Sequence, residues 1–119
     1  MKKILIVDDS AFTRGIHRQI LESEGYEALE AANGAEALEK FGKEKPDLAI
    51  VDLLMPDMDG MDVIKKILEM DPSAKTVICS TDKQKARQKD AKEIGVLGFL
   101  IKPINHEKLK KTLNEILID

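Results

Sequence analysis

Tryptophan is absent from this sequence, and aromatic residues together make up only 3% of it. Single-stranded nucleic acids are held on stacked rings, and a chain so poor in rings offers no such platform. The core must instead come from Ile, Leu, Val, Met and Ala. One cysteine, Cys79, has nothing to pair with inside the chain. An internal disulfide is therefore excluded, and a reducing compartment fits. No apolar run approaches the ~18 residues that a membrane span needs. The opening "MKKILIVDD" sets lysines before an apolar run, as a signal peptide does. That run is too short and ends in acids, which argues against the reading. A net charge of −3 gives no surplus of cations for a phosphate backbone. The expectation is a cytoplasmic protein with no direct contact with nucleic acid or membrane.

What the chain does have is alternation. Its 119 residues suit one domain, 1–119, with no output domain attached. Short apolar runs are predicted as strands at 3–9, 26–31, 46–52, 75–80 and 97–102. Amphipathic helices are predicted between and after them, at 10–25, 33–42, 60–72, 82–95 and 105–118. The first is marked by Phe12, Ile16 and Ile20 at four-residue spacing, and Gly25 stops it. Asn33 and Asn105 read as N-caps, and Gly42 as a C-cap. The fourth helix is very polar, with Ala86, Ala91 and Ile94 as its anchors. Five βα units imply a parallel sheet with helices on both faces.

Four of the five strands run from apolar residues into polar ones: Asp8 and Asp9, Asp52, Ser80 and Lys102. Parallel strands share one direction, so these residues meet on the carboxyl edge, where open α/β sheets place their sites. In a strand order 2-1-3-4-5 the first and third strands are neighbours, and three carboxylates form one cluster. Such a cluster calls for a hard divalent cation, Mg²⁺ or alternatively Mn²⁺. A cation, an ammonium and a hydroxyl around a carboxylate are the parts needed to stabilise a transferring phosphoryl group. Asp52 can itself be the nucleophile.

The motifs "VDDS" (7–10), "VDLLMPDMDG" (51–60), "VICS" (77–80) and "FLIKP" (99–103) carry a resemblance that covers essentially the whole chain. It resembles a response-regulator receiver domain of the stand-alone kind found in chemotaxis signalling. The likeness implies a (βα)5 flavodoxin-like three-layer sandwich. It implies that Asp52 is the phosphoacceptor, and that Asp8, Asp9, Asp52 and the backbone carbonyl of Leu54 hold Mg²⁺. Ser80 and Lys102 would contact the phosphoryl group, Ser80 and Phe99 would switch, and Pro103 would follow a cis bond. Thr81 stands where the family usually has Ala and would narrow access. Phe99 stands where Tyr is common and has no hydroxyl. Leu54 and Asp82 would flank the approach of water. The implied partners are a sensor histidine kinase or phosphotransfer protein, a downstream protein target, and a second copy of the chain when phosphorylated. Such a switch would catalyse only its own phosphorylation and dephosphorylation.

Other readings fail on residues. In "MPDMDG" a calcium loop would put Met55 and Lys66 where acids are needed. No GxGxxG or GxxxxGK[ST] is present. A haloacid-dehalogenase-type phosphohydrolase needs Asp-x-Asp, and here the acids are adjacent. A pseudo-receiver would lack phosphorylation residues that are all present. His17 and His106 are expected to be solvated, and Cys79 to be an inert core thiol. Lysines and Arg87 on the fourth helix, with Lys108, Lys110 and Lys111 on the fifth, would form a basic face for an acidic partner.

Overall fold

The computed structural model describes residues 1–117. The elements alternate strictly: β1 (Lys3–Val7), α1 (Ala11–Ser23), β2 (Glu27–Ala31), α2 (Gly34–Glu44), β3 (Leu48–Val51), α3 (Gly60–Met70), β4 (Thr76–Ser80), α4 (Lys85–Ile94), β5 (Gly98–Ile101) and α5 (His106–Ile116). The strands form one parallel sheet in the order β2-β1-β3-β4-β5. This is the expected flavodoxin-like sandwich. Residue 118, the predicted end of the fifth helix, lies outside the described residues.

Alternate residues of each strand feed opposite faces. Leu5, Val7, Ala49, Val51 and Ile78 pack with Ala37 and Phe41 of α2, Val63, Ile64 and Ile67 of α3, and Ala91 of α4. Ile4, Ile6, Leu48, Ile50, Val77 and Cys79 pack on the other side with Leu21 of α1 and Leu109 and Leu113 of α5. Four helices begin on a side-chain cap: Ser10, Asn33, Asp59 and Asn105 each accept a backbone N–H from the first turn.

Several sequence expectations are corrected. The strand expected at 3–9 ends at Val7, which leaves Asp8 and Asp9 just past the strand end. The helix α2 passes through Gly42 to Glu44, and Lys45 is its left-handed cap at φ 48°. Buried Pro46 follows, and the residue before a proline is disfavoured in the helical region. The helix α4 starts at Lys85, behind a loop over 81–84, and Gln84 gives it no side-chain cap. Ala86 is exposed and anchors nothing. In α1 the buried residues are His17 and Leu21, while Phe12 is 79% and Ile16 40% exposed. Two stripes one residue apart lie about 100° apart around a helix, and the fully buried Leu21 selects the stripe facing the sheet. His17 is thereby carried inward, contrary to expectation.

Candidate functional site

The site is assembled by strand register. Val7 lies opposite Val51 in the β1–β3 ladder. The ladder continues one step further, with the Asp52 amide donating to the Val7 carbonyl at 2.9 Å. Asp8 and Asp52 therefore leave adjacent strands side by side, and both are buried. The Asp8 Oδ1 accepts from the Ser10 amide at 2.9 Å, which turns the chain into α1. Arg14 on that helix reaches back to the Asp8 carbonyl at 2.6 Å. Asp9, next in the chain, is exposed.

Across the sheet, the Lys102 amide donates to the Ser80 carbonyl at 2.9 Å, so the side chains after β4 and β5 also converge. The Lys102 ammonium donates to Asp8 Oδ2 at 2.6 Å and to Asp52 Oδ2 at 3.0 Å. Burial opposes its charge, but the hydrogen bonds it donates to both carboxylates prevail and hold its pKa above the ordinary lysine value. The other Asp52 oxygen accepts from the Leu54 amide at 3.2 Å. Ser80 is fully buried, and its Oγ accepts from the Asp82 amide at 3.3 Å. Thr81 and Leu54 are exposed at the mouth of the site. Phe99 is half-buried against α4, in a cleft of about 430 Å³ lined also by Gln88, Lys89 and Leu97. The Lys102–Pro103 bond is cis.

One carboxylate oxygen from each of Asp8, Asp9 and Asp52 lies within 4.8 Å of the others. Three hard oxygen donors that close, open to water on the Asp9 side, suit a divalent cation of the Mg²⁺ class. The residues present fit that ion, and Lys102 is already on two of them as a fixed cation.

Three features escaped the sequence reading. Gly60 opens α3 so close to Asp52 that a Cβ there would stand 2.1 Å from the Asp52 carbonyl oxygen. Only a residue without a side chain fits, and the "MDG" that ends the second motif was its signal. Arg87 is not part of the solvated basic face: its Nη2 donates to both oxygens of Asp59, at 2.8 and 2.9 Å. Asp57 accepts from the Gly34 amide and ties the loop after β3 to the start of α2. Nothing in a single sequence pairs residues so far apart. His17 borders the site from α1, and burial lowers its pKa below 6.5, opposed by Asp8, assisted by Lys102 and opposed again by Asp52. Burial pushes the Cys79 thiol up to about 12, which makes it inert as expected. His106 is exposed as expected, with Nε2 2.8 Å from Glu24 Oε2.

Residues 4–114 match the response regulator receiver domain family. The chain is 42% identical over 116 residues to the chemotaxis protein CheY of Thermotoga maritima, covering 97% of each. Among solved structures it resembles Vibrio cholerae CheY4 at 35% identity and a TM-score of 0.93, covering 98% of this chain and 99% of that one. It also resembles the CheX–CheY complex with BeF3 and Mg²⁺ from Borrelia burgdorferi, at 31% identity and a TM-score of 0.94, covering 99% and 90%. No helix among the described residues is long and apolar enough to cross a membrane. Strand order, the carboxyl-edge cluster and these likenesses agree: the chain belongs to the response regulator receiver family, of the CheY type, whose members are phosphoryl-accepting switches of two-component signalling.

Proposed function

We propose that Asp52 is the phosphoacceptor, taking its phosphoryl group from a histidine kinase or a phosphotransfer protein. The observation that carries this is the Lys102 ammonium bonded to both Asp52 and Asp8, with Ser80 buried at the neighbouring strand end. In the transfer, an Asp52 carboxylate oxygen bonds to phosphorus while the bond from phosphorus to the donor imidazole breaks. The leaving imidazole takes up a proton. Hydrolysis later places a water oxygen on phosphorus, releases inorganic phosphate and restores the carboxylate.

Asp8, Asp9, Asp52 and the Leu54 carbonyl would hold Mg²⁺. A bound Mg²⁺ supplies positive charge against the phosphoryl oxygens. The rest falls to the chain's own groups. Lys102 holds a second positive charge at the acceptor carboxylate. Ser80 offers a hydroxyl donor where new oxygens arrive. Thr81, Leu54 and Asp82 limit the path of donor and water. Phe12 and Ile16 stand exposed beside a cleft of about 340 Å³ that Lys102 and Pro103 also line, and they give a donor protein an apolar footing next to the acceptor.

The response would run to the face of α4, β5 and α5. The Ser80 hydroxyl turns toward the phosphoryl oxygens, the following loop moves with it, and Phe99 swings inward. Lys85, Lys89 and Lys92 keep that face basic and exposed, suited to an acidic protein target or a second copy of the chain. The test is incubation with Mg²⁺ and acetyl phosphate, read by intact mass. The expected result is one phosphate adduct that is absent from Asp52→Asn. An equal adduct on that variant, or none on the wild type with either acetyl phosphate or a phosphorylated kinase, would overturn the assignment.

A further inference from the structure

Arg87 stands on the first turn of α4 between two acids from different loops. Asp59 belongs to the loop after Asp52. It caps α3 by accepting from the Met61 amide at 2.8 Å, and both its oxygens also take Arg87 Nη2. Asp82 belongs to the loop after Ser80, and its Oδ2 lies 3.7 Å from Arg87 Nε. That Nε is buried and has no hydrogen-bond partner. A buried N–H left unmet costs free energy, and guanidinium geometry offers it to an acceptor in the plane. Hydrogen bonds close at about 2.9 Å, so an approach of roughly 1 Å by Asp82 would satisfy it.

The groups that hold Asp82 back can be named. Its amide donates to Ser80 Oγ over a long 3.3 Å, and its Oδ1 accepts from the Gln84 amide at 3.0 Å. The first of these bonds depends on where the Ser80 hydroxyl points. The helix that would feel the change is poorly secured: α4 has no side-chain cap, and Ala91 is its only buried residue.

We propose that Arg87 is the link that hands the movement of the phosphorylation loop to α4. Asp59 holds it at rest, and Asp82 takes its free Nε when a phosphoryl group on Asp52 draws the Ser80 hydroxyl away from the Asp82 amide. The inference rests on Asp52 being the acceptor. It adds the side chain that carries the response and the acid that restrains it. Because both loops leave strands of the site, the two partners of Arg87 report on the same event from opposite sides.

The experiment uses the full chain, isotopically labelled, with Mg²⁺ and acetyl phosphate. Intact mass reads the adduct, and amide exchange and chemical shifts read α4. Before phosphorylation, Arg87→Ala should exchange the amides of Lys85–Ile94 roughly three- to fivefold faster, the scale of a lost surface ion pair. Asp59→Asn keeps an acceptor for the Met61 amide and should loosen α4 by a similar factor. After phosphorylation, wild type and Asp59→Asn should show shifts through α4. In Arg87→Ala they should stop within residues 81–84, with the phosphate adduct unchanged. Shifts of wild-type size along α4 in Arg87→Ala would overturn the link, as would their loss in Asp59→Asn. Failure of the wild type to take phosphate would instead remove the acceptor reading, and this relay with it.

Discussion

The helices α3 and α4 both follow a strand that ends in the site, yet they are held very differently. The helix α3 starts on the Asp59 cap and buries Met61, Val63, Ile64 and Ile67. The helix α4 starts on Gln84 without a side-chain cap and buries Ala91 alone. Their neighbouring strands repeat the contrast: β3 is buried throughout, whereas every residue of β5 is only half-buried. Asp52, the proposed acceptor, thus sits on the firm half of the molecule. The surface proposed to respond sits on the loose half, where a small free energy suffices to move a helix.

The largest expected effect tests the firm half. Ile64→Ala deletes a fully buried side chain of α3 and should cost about 3–4 kcal/mol in chemical denaturation. Ala86→Gly, on the exposed surface of α4, should cost no more than about 1 kcal/mol. Equal losses would break the contrast.

A middle-sized effect concerns His17, whose pKa is lowered chiefly by burial. A histidine of lowered pKa binds its proton first in the unfolded state. Its contribution is therefore intact above 6.5 and declines as the pH falls from 6.5 toward the folded value. The slope for one proton cannot exceed about 1.4 kcal/mol per pH unit. Subtracting the stability curve of His17→Gln from that of the wild type isolates this term from the carboxylates. A difference that stays flat below 6.5 would contradict the burial. Exchange of the α4 amides should be insensitive to the substitution.

The smallest effect sharpens the contrast from the loose side. Gln84→Ser supplies the missing cap and should stabilise α4 by about 0.5–1 kcal/mol. It should slow exchange of the first-turn amides and weaken their response to phosphorylation. An α4 that exchanges no more slowly would mean that the absent cap is not what leaves it loose.

The half that carries Asp8 and Asp52 is the readable half of the sequence. Val7, Val51 and the acids after them follow from period, parallel direction and strand order, because a buried parallel strand leaves few alternatives for its ends. The capped starts at Asn33 and Asn105 were equally legible, since a cap is a local interaction. What depends on rotation or on distant partners was not. The spacing of Phe12, Ile16 and Ile20 fits a helix, but of the three only Ile20 packs on the core, and His17 lies inward with Leu21. The start of α4 was misplaced because nothing marks it: the helix has neither a cap residue nor an apolar stripe. In the sequence Arg87 is one basic side chain among many, because its partner Asp59 lies 28 residues away.

The ammonium of Lys102, already seated on Asp8 and Asp52, makes the resting site its own competitor. Any cation arriving at the acids finds two of them engaged, so its apparent affinity is an exchange constant: the strength of the new bonds less that of the ones surrendered. Occupancy is thereby muted by an amount that the lysine sets. With Lys102→Met that internal rival is gone, and divalent ions would be held more tightly by a protein less able to use them. On the proposed reading, tight metal retention and phosphoryl capture are opposed demands on this one side chain.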